Sequence, residues 1–193
     1  MRKAGIALVL ATAALAQEQV VQRAGIWTDT VKHGDIPLMV RGLGVLGAGN
    51  TAELKMPGDI MKQVEGGQKA SVITTEQAVI EGKVARVGSG VVILELDGPL
   101  PATAHPGTPV DGTIQTGNLS GVEYVGRPVH CQLDGEDTIF RLDPDGQHAT
   151  RVKVLYGKGS VNLVEVRRGL RAGEQVILTD MSGYKGQDRV RIE

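Results

Sequence analysis

Four histidines, one cysteine and a scatter of carboxylates are the side chains in this sequence that could do chemistry, and their spacing limits what that chemistry is. His33, His105, His130 and His148 stand far apart, and no two are spaced as zinc ligands are. His130 and Cys131 are neighbours; on a strand, neighbouring side chains face opposite ways and do not share an ion. Asp143-Pro144-Asp145-Gly146 starts like a calcium loop but lacks the further oxygen ligands and the distant Glu. A hairpin turn accounts for it better: Asp caps backbone amides, Pro fixes φ and Gly takes positive φ. A serine nucleophile needs a base oriented by a third group, and no G-x-S-x-G elbow occurs. Gly88-Ser89-Gly90 is the turn of a hairpin instead. Gly42, Gly44 and Gly47 spell G-x-G-x-x-G, which cradles a pyrophosphate only where a helix follows. Gly49-Asn50 and an alternating run follow here, so a bulged strand or sharp exit is expected. These residues predict no catalytic site, no metal and no cofactor. One basic cluster, Arg167, Arg168 and Arg171, flanks a turn and is either a solvated turn or a patch facing a partner or anionic headgroups.

Composition narrows the functional classes further. Aromatic residues make up 3% of 193, too few for the stacking platforms that bind single-stranded nucleic acid or sugars. Without residues 1–16, 19 basic residues face 22 acidic ones, so the chain lacks the basic surface that displaces counterions from a duplex. No nucleic-acid partner is expected. Cys131 is the single cysteine and forms no internal disulfide.

The start of the chain has the pattern of a secretory signal. Arg2-Lys3 is a positive n-region and Ala4–Ala16 an apolar segment too short to span a bilayer comfortably. Ala14-Leu15-Ala16 places cleavage between Ala16 and Gln17; the alternative is an uncleaved anchor. The expected location is the periplasm.

The elements that must position everything else are short strands. Residues 17–30 are expected to be a leader, ordered from about Ile26, that pins the chain's start to the body. Ile36–Leu46 is strand-like; in Thr51–Met56, Ala52, Leu54 and Met56 take one face and Thr51, Glu53 and Lys55 the other. Asp59 is placed to cap a short helix over 59–64. Lys69–Thr74 is a strand, and Ala78–Val87 with Val91–Leu96 a hairpin. Asp97–Pro109, with four prolines, is an exposed loop. Val110–Thr116 follows, then an apparent boundary at Gly117-Asn118. Beyond it, strands are expected over Val122–Val125, Val129–Leu133, Thr138–Leu142, Thr150–Tyr156, Val161–Val166, Gln175–Leu178 and Arg189–Ile192. The turn-rich Gly169–Gly173 segment should join two of them as a β-turn within one sheet. The pattern is all-β throughout, as a sandwich or barrel.

Six stretches carry a family resemblance: VKHGDIPLMVRGLGVL at 31–46, LKMPGDIMKQVEGGQKASV at 54–72, VIEGKVARV at 79–87, PGTPVDGTI at 106–114, VEYVGRPV at 122–129 and VNLVEVRRGLRAGEQVILTDMSGY at 161–184. In order and combination they resemble the periplasmic adaptors, or membrane fusion proteins, of tripartite efflux pumps and haemolysin-D-type exporters. The resemblance implies a signal peptide over 1–16, an N-terminal strand and truncated junction over 31–50, a small β-barrel domain over 51–117 and a membrane-proximal β-domain over 118–193. Family members carry a lipoyl-like domain and a long helical hairpin where this chain has only Gly47-Ala48-Gly49-Asn50. The chain has no heptad pattern to replace them.

The resemblance therefore implies a non-enzymatic adaptor or accessory subunit of an export complex, packed on the periplasmic face of an inner-membrane transporter permease. It is either a reduced adaptor that binds the transporter alone, a partner of itself or of a full-length paralogue, or a shortened remnant. Tyr124, Arg127, Arg167 and Arg171 are the candidate partner contacts, because interface energy concentrates on buried aromatic and Arg anchors. The competing expectations are a stand-alone periplasmic module holding a small molecule or regulating in a barrel mouth, and a small periplasmic hydrolase.

Overall fold

A computed structural model describes residues 18–193; the expected signal segment and its cleavage point at Ala16–Gln17 lie outside them. The alternation of apolar and polar residues folds as strands almost everywhere. In chain order these are β1 Gln19–Val21, β2 Thr28–Thr30, β3 Lys32–Leu46, β4 Thr51–Lys55, then helix α1 Gly58–Met61. There follow β5 Lys69–Thr74, β6 Val79–Val87, β7 Val91–Leu96, β8 Pro109–Gly126, β9 Glu136–Leu142 and β10 His148–Gly159. The last are β11 Leu163–Arg168, β12 Gln175–Ile177 and β13 Arg189–Ile192. The fold is all-β: 13 strands form one continuous sheet, antiparallel except where β1 pairs with β13. No described helix is long and apolar enough to cross a membrane.

Two long strands organise the sheet. β3 runs antiparallel to β8 from Lys32↔Tyr124 to Val45↔Pro109. At one end of this ribbon, β3 pairs with β4, β4 with β7, β7 with β6, β6 with β5, and β5 returns to β8. These pairings close a six-strand circuit around Ala52, Leu54, Val72, Val92, Leu94 and Ile114, each fully buried. Each such aliphatic side chain contributes about 1.5–3 kcal/mol of burial, less for Ala. Because β3 and β8 continue past it, the circuit is part of the larger sheet. At the ribbon's other end, β8 pairs with β11, β11 with β10, and β10 with β9 and β13. Here lies the second core, around Val31, Val125, Val154, Tyr156 and Val164, with a smaller cluster beyond it around Phe140, Ile177 and Val190.

Several elements depart from expectation. The leader is paired from Gln19, earlier than Ile26, because β1 lies beside β13 and β2 beside β12. The supposed boundary at Gly117-Asn118 falls inside β8, where Leu38 and Pro37 of β3 pair with it and carry the strand through. Helix α1 spans only Gly58–Met61, and Asp59 lies in its first turn without capping it. Val129–Leu133 is not a strand: Pro128 fixes the chain into a turn, with the Cys131 amide donating to the Pro128 carbonyl at 3.2 Å. β11 and β12 share the sheet but are not neighbours, since the link between them drops Leu170 into the second core and sends β12 to pair with β2 and β9. Gly169 turns this link with φ of 100° and sits against the Lys153 carbonyl, so no side chain fits there.

Candidate functional site

Of the residues singled out from sequence, none form a reactive constellation. His130 and Cys131 sit in the 128–131 turn; His130 Nε2 pairs with Asp180 Oδ2 at 3.3 Å, and Cys131 packs half-buried against the second core. Burial pushes the Cys131 thiol upward, Asp137 adds to this and Arg127 opposes it, so the group stays a thiol. Asp143 and Asp145 form the β9–β10 turn as expected, and their oxygens are occupied. Asp143 accepts from Thr150 and Arg189 at 2.8 and 3.0 Å, and Asp145 accepts from the Gln147 amide at 2.9 Å and pairs with His148 at 2.6 Å. Among the described residues no group of three or more His, Cys, Asp or Glu is placed to hold a metal ion.

Of the four candidate contact residues, Tyr124 and Arg167 share one face beside Glu165, and Arg127 and Arg171 stand apart from them. Tyr124 lies opposite Glu165 across the β8–β11 ladder, on the face away from Val125 and Val164. On that face Arg167 bridges Asp134 at 3.0 Å and Glu165 at 3.3 Å. Arg168 pairs with Glu136 at 3.0 Å, so the expected basic cluster is largely neutralised. Arg171 stands elsewhere, over a hollow it shares with Glu123, Arg141 and Glu174. Arg127 donates to the Ser160 carbonyl at 3.3 Å and borders an open hollow of about 620 Å³ with the exposed Trp27 and Val129.

The residue that sequence reasoning passed over is Tyr156. It is 1% exposed, and its hydroxyl has no hydrogen-bond partner in the protein. It pairs with Val166 between two register shifts of the β10–β11 ladder, and such bulges re-aim the side chain they carry. Tyr156 borders a cleft of about 220 Å³ that opens where β12 leaves β9 after their single pairing at Val176↔Arg141. The cleft's apolar lining comes from Ile139, Phe140, Ile177 and Met181, and its polar lining includes Asp137 and the His130–Asp180 pair. Asp180 is fixed by the Ser182 amide at 2.8 Å, which with His130 holds its carboxyl below the usual value. Burial, with Cys131 and Asp137 nearby, drives the Tyr156 phenol well above its ordinary pKa, so it remains a neutral hydroxyl. A Tyr ending the apolar face Val152, Val154, Tyr156 was the available signal, since a buried phenol normally finds a partner.

No known family model matches the sequence, and a search of curated proteins finds no match.

Proposed function

We propose that the chain is a non-enzymatic periplasmic adaptor or accessory subunit of an efflux or export complex, seated on the periplasmic face of an inner-membrane transporter. The observation that carries this reading is the path of β3. It starts beside β8 over the second core and runs into the six-strand circuit, ending at the four-residue turn Gly47–Asn50. The resemblance assigns this strand to the membrane-proximal domain; its first half pairs with β8 at that end, while its second half is a member of the circuit. The turn stands where the outward helical arm of a full-length adaptor would leave. Its mechanism would be mechanical: β-modules pack on the transporter so that solute passes without escaping.

The test is photo-crosslinking in membranes of the native cell, with the reactive residue placed in turn at Tyr124, Arg127, Arg167 and Arg171. Adducts whose partner is identified as a polytopic transporter subunit support the reading. Adducts confined to soluble proteins, or none from any of the four positions, overturn it.

A further inference from the structure

Trp27 is the one tryptophan of the chain, and it is 79% exposed. Its backbone is nevertheless pinned. The Trp27 amide donates to Thr179 Oγ1 at 2.7 Å, and the Trp27 carbonyl accepts from the Leu178 amide at 2.7 Å. A fixed point therefore holds an indole in water, across a hollow from the equally exposed Val129. Pro128, Val161 and Leu178 extend the apolar wall between them. Covering such a patch is favourable, because it releases water from apolar surface. At about 620 Å³ the hollow falls within the roughly 300–1,000 Å³ of small-molecule sites.

The charge at the rim sets the polarity of what would fit. Arg141, Arg151, Arg167, Arg168 and Arg189 each hold a carboxylate. Among the described residues the Arg127 guanidinium meets only the Ser160 carbonyl, at 3.3 Å, which leaves most of its N–H fork unengaged by the protein. The Arg127 amide donates to the Asn162 carbonyl at 2.9 Å, which fixes where the side chain starts. The acids close by are already spent. Asp29 accepts from the Gly126 amide on the hollow's floor, and it also holds the Thr30 amide and Lys32. Asp180, next to Thr179, pairs with His130.

We propose that this hollow binds a small organic anion, with its carboxylate on Arg127 and its apolar body between Trp27 and Val129. A guanidinium presents parallel N–H groups that match a carboxylate, and an indole face covers a flat apolar body. The inference does not depend on the adaptor reading, because crosslinking and ligand titration can fail separately.

The test is an NMR titration of the purified protein with 3-phenylpropanoate, read at the single indole N–H and the backbone amides. The comparison ligands are 3-phenylpropan-1-ol, which lacks the charge, and propanoate, which lacks the ring. The expected result is saturable shifts confined to the indole and residues 126–129, 161–162 and 178–179, with a dissociation constant of about 1 mM or tighter. The alcohol should bind about tenfold more weakly, as loss of a charged hydrogen bond predicts. Arg127→Gln should remove that preference and Arg127→Lys, which keeps the charge, should retain part of it. Trp27→Ala should weaken acid and alcohol alike. Scattered or non-saturating shifts with 3-phenylpropanoate overturn the proposal. So does the alcohol or propanoate binding as tightly as 3-phenylpropanoate, and so does a preference for the acid that survives Arg127→Gln.

Discussion

At one end of the β3–β8 ribbon, Leu54, Val72, Val92, Leu94 and Ile114 fill the circuit with aliphatic carbon, each at 0% exposure. At the other end, the largest fully buried side chain is Tyr156, whose oxygen has nothing to bond. The surfaces differ in the same direction. The circuit carries Arg41–Asp111 and Lys83–Glu95, whereas the second region is laced by Arg141–Glu174, Arg151–Asp188, Arg167–Asp134, Arg168–Glu136 and Arg189–Asp143. A ring of strands leaves no edge, so its interior can be filled by alternation alone. Below it, β12 makes three residue pairs with β2 and one with β9 before diverging. An edge that peels away leaves a gap lined by both apolar and polar groups. The circuit is filled by its own aliphatic side chains, and the second region leaves a cleft beside its core.

The largest expected effect comes from breaking the circuit at Gly44. A Cβ there would strike the Glu53 backbone carbonyl, which cannot move without losing the β3–β4 pairing. Gly44→Val should cost about 3 kcal/mol or more, the upper range for overpacking. Because β3 and β8 also run under the second core, far-UV circular dichroism and the amide NMR signals of β10 should report one shared denaturant transition. Two separated transitions would show that the two regions are energetically independent.

The circuit was the more legible half. The alternation of Ala52, Leu54 and Met56 and the 69–96 strands appear where periodicity puts them, because each buries one face against the same interior. The second region resisted because its decisive features are non-local. Gly117-Asn118 looks like punctuation, yet pairing with Leu38 and Pro37 of β3 carries β8 through both positions. Val129 and Leu133 have strand propensity, but the Pro128 turn overrides it, and Val129 ends 68% exposed. Leu170 inside a turn gave no hint that it is 3% exposed and draws β12 away from β11. The candidate contacts Tyr124, Arg127, Arg167 and Arg171 were chosen by residue type, and type does not reveal that Arg167 already has two carboxylate partners.

The second region's looseness predicts a gain from a loss. Tyr156→Phe removes an unpaired buried oxygen while keeping the ring that packs on Val154 and Val164. It should stabilise the protein by about 1 kcal/mol, toward the low end of the cost of an unsatisfied group. For a chain of this size that is a rise in Tm of about 2–4 °C. A fall in Tm would mean that the hydroxyl is satisfied in solution, which would narrow the contrast between the two interiors.

The smallest effect concerns how the chain's start is tied to the second region. Asp29 on β2 accepts from the Gly126 amide at 2.7 Å and the Thr30 amide at 2.9 Å, and meets Lys32 at 3.3 Å. Burial alone would raise this carboxyl, but the two amides and the Lys32 ammonium outweigh it and hold it below its ordinary value. A carboxyl depressed on folding contributes stability that is fully present above the unfolded pKa of about 3.9. That contribution is lost as pH falls through the lower, folded value. Asp29→Asn keeps an acceptor but not the charge, so it should cost about 1 kcal/mol or less at pH 7. Urea unfolding of both proteins from pH 7 downward should show this gap constant to about pH 4. Below that it should shrink as the native Asp29 becomes protonated and comes to resemble its amide. A gap that persists unchanged at the acid end would mean that the geometry of the β2–β8 contact, rather than the Asp29 charge, fastens the start of the chain.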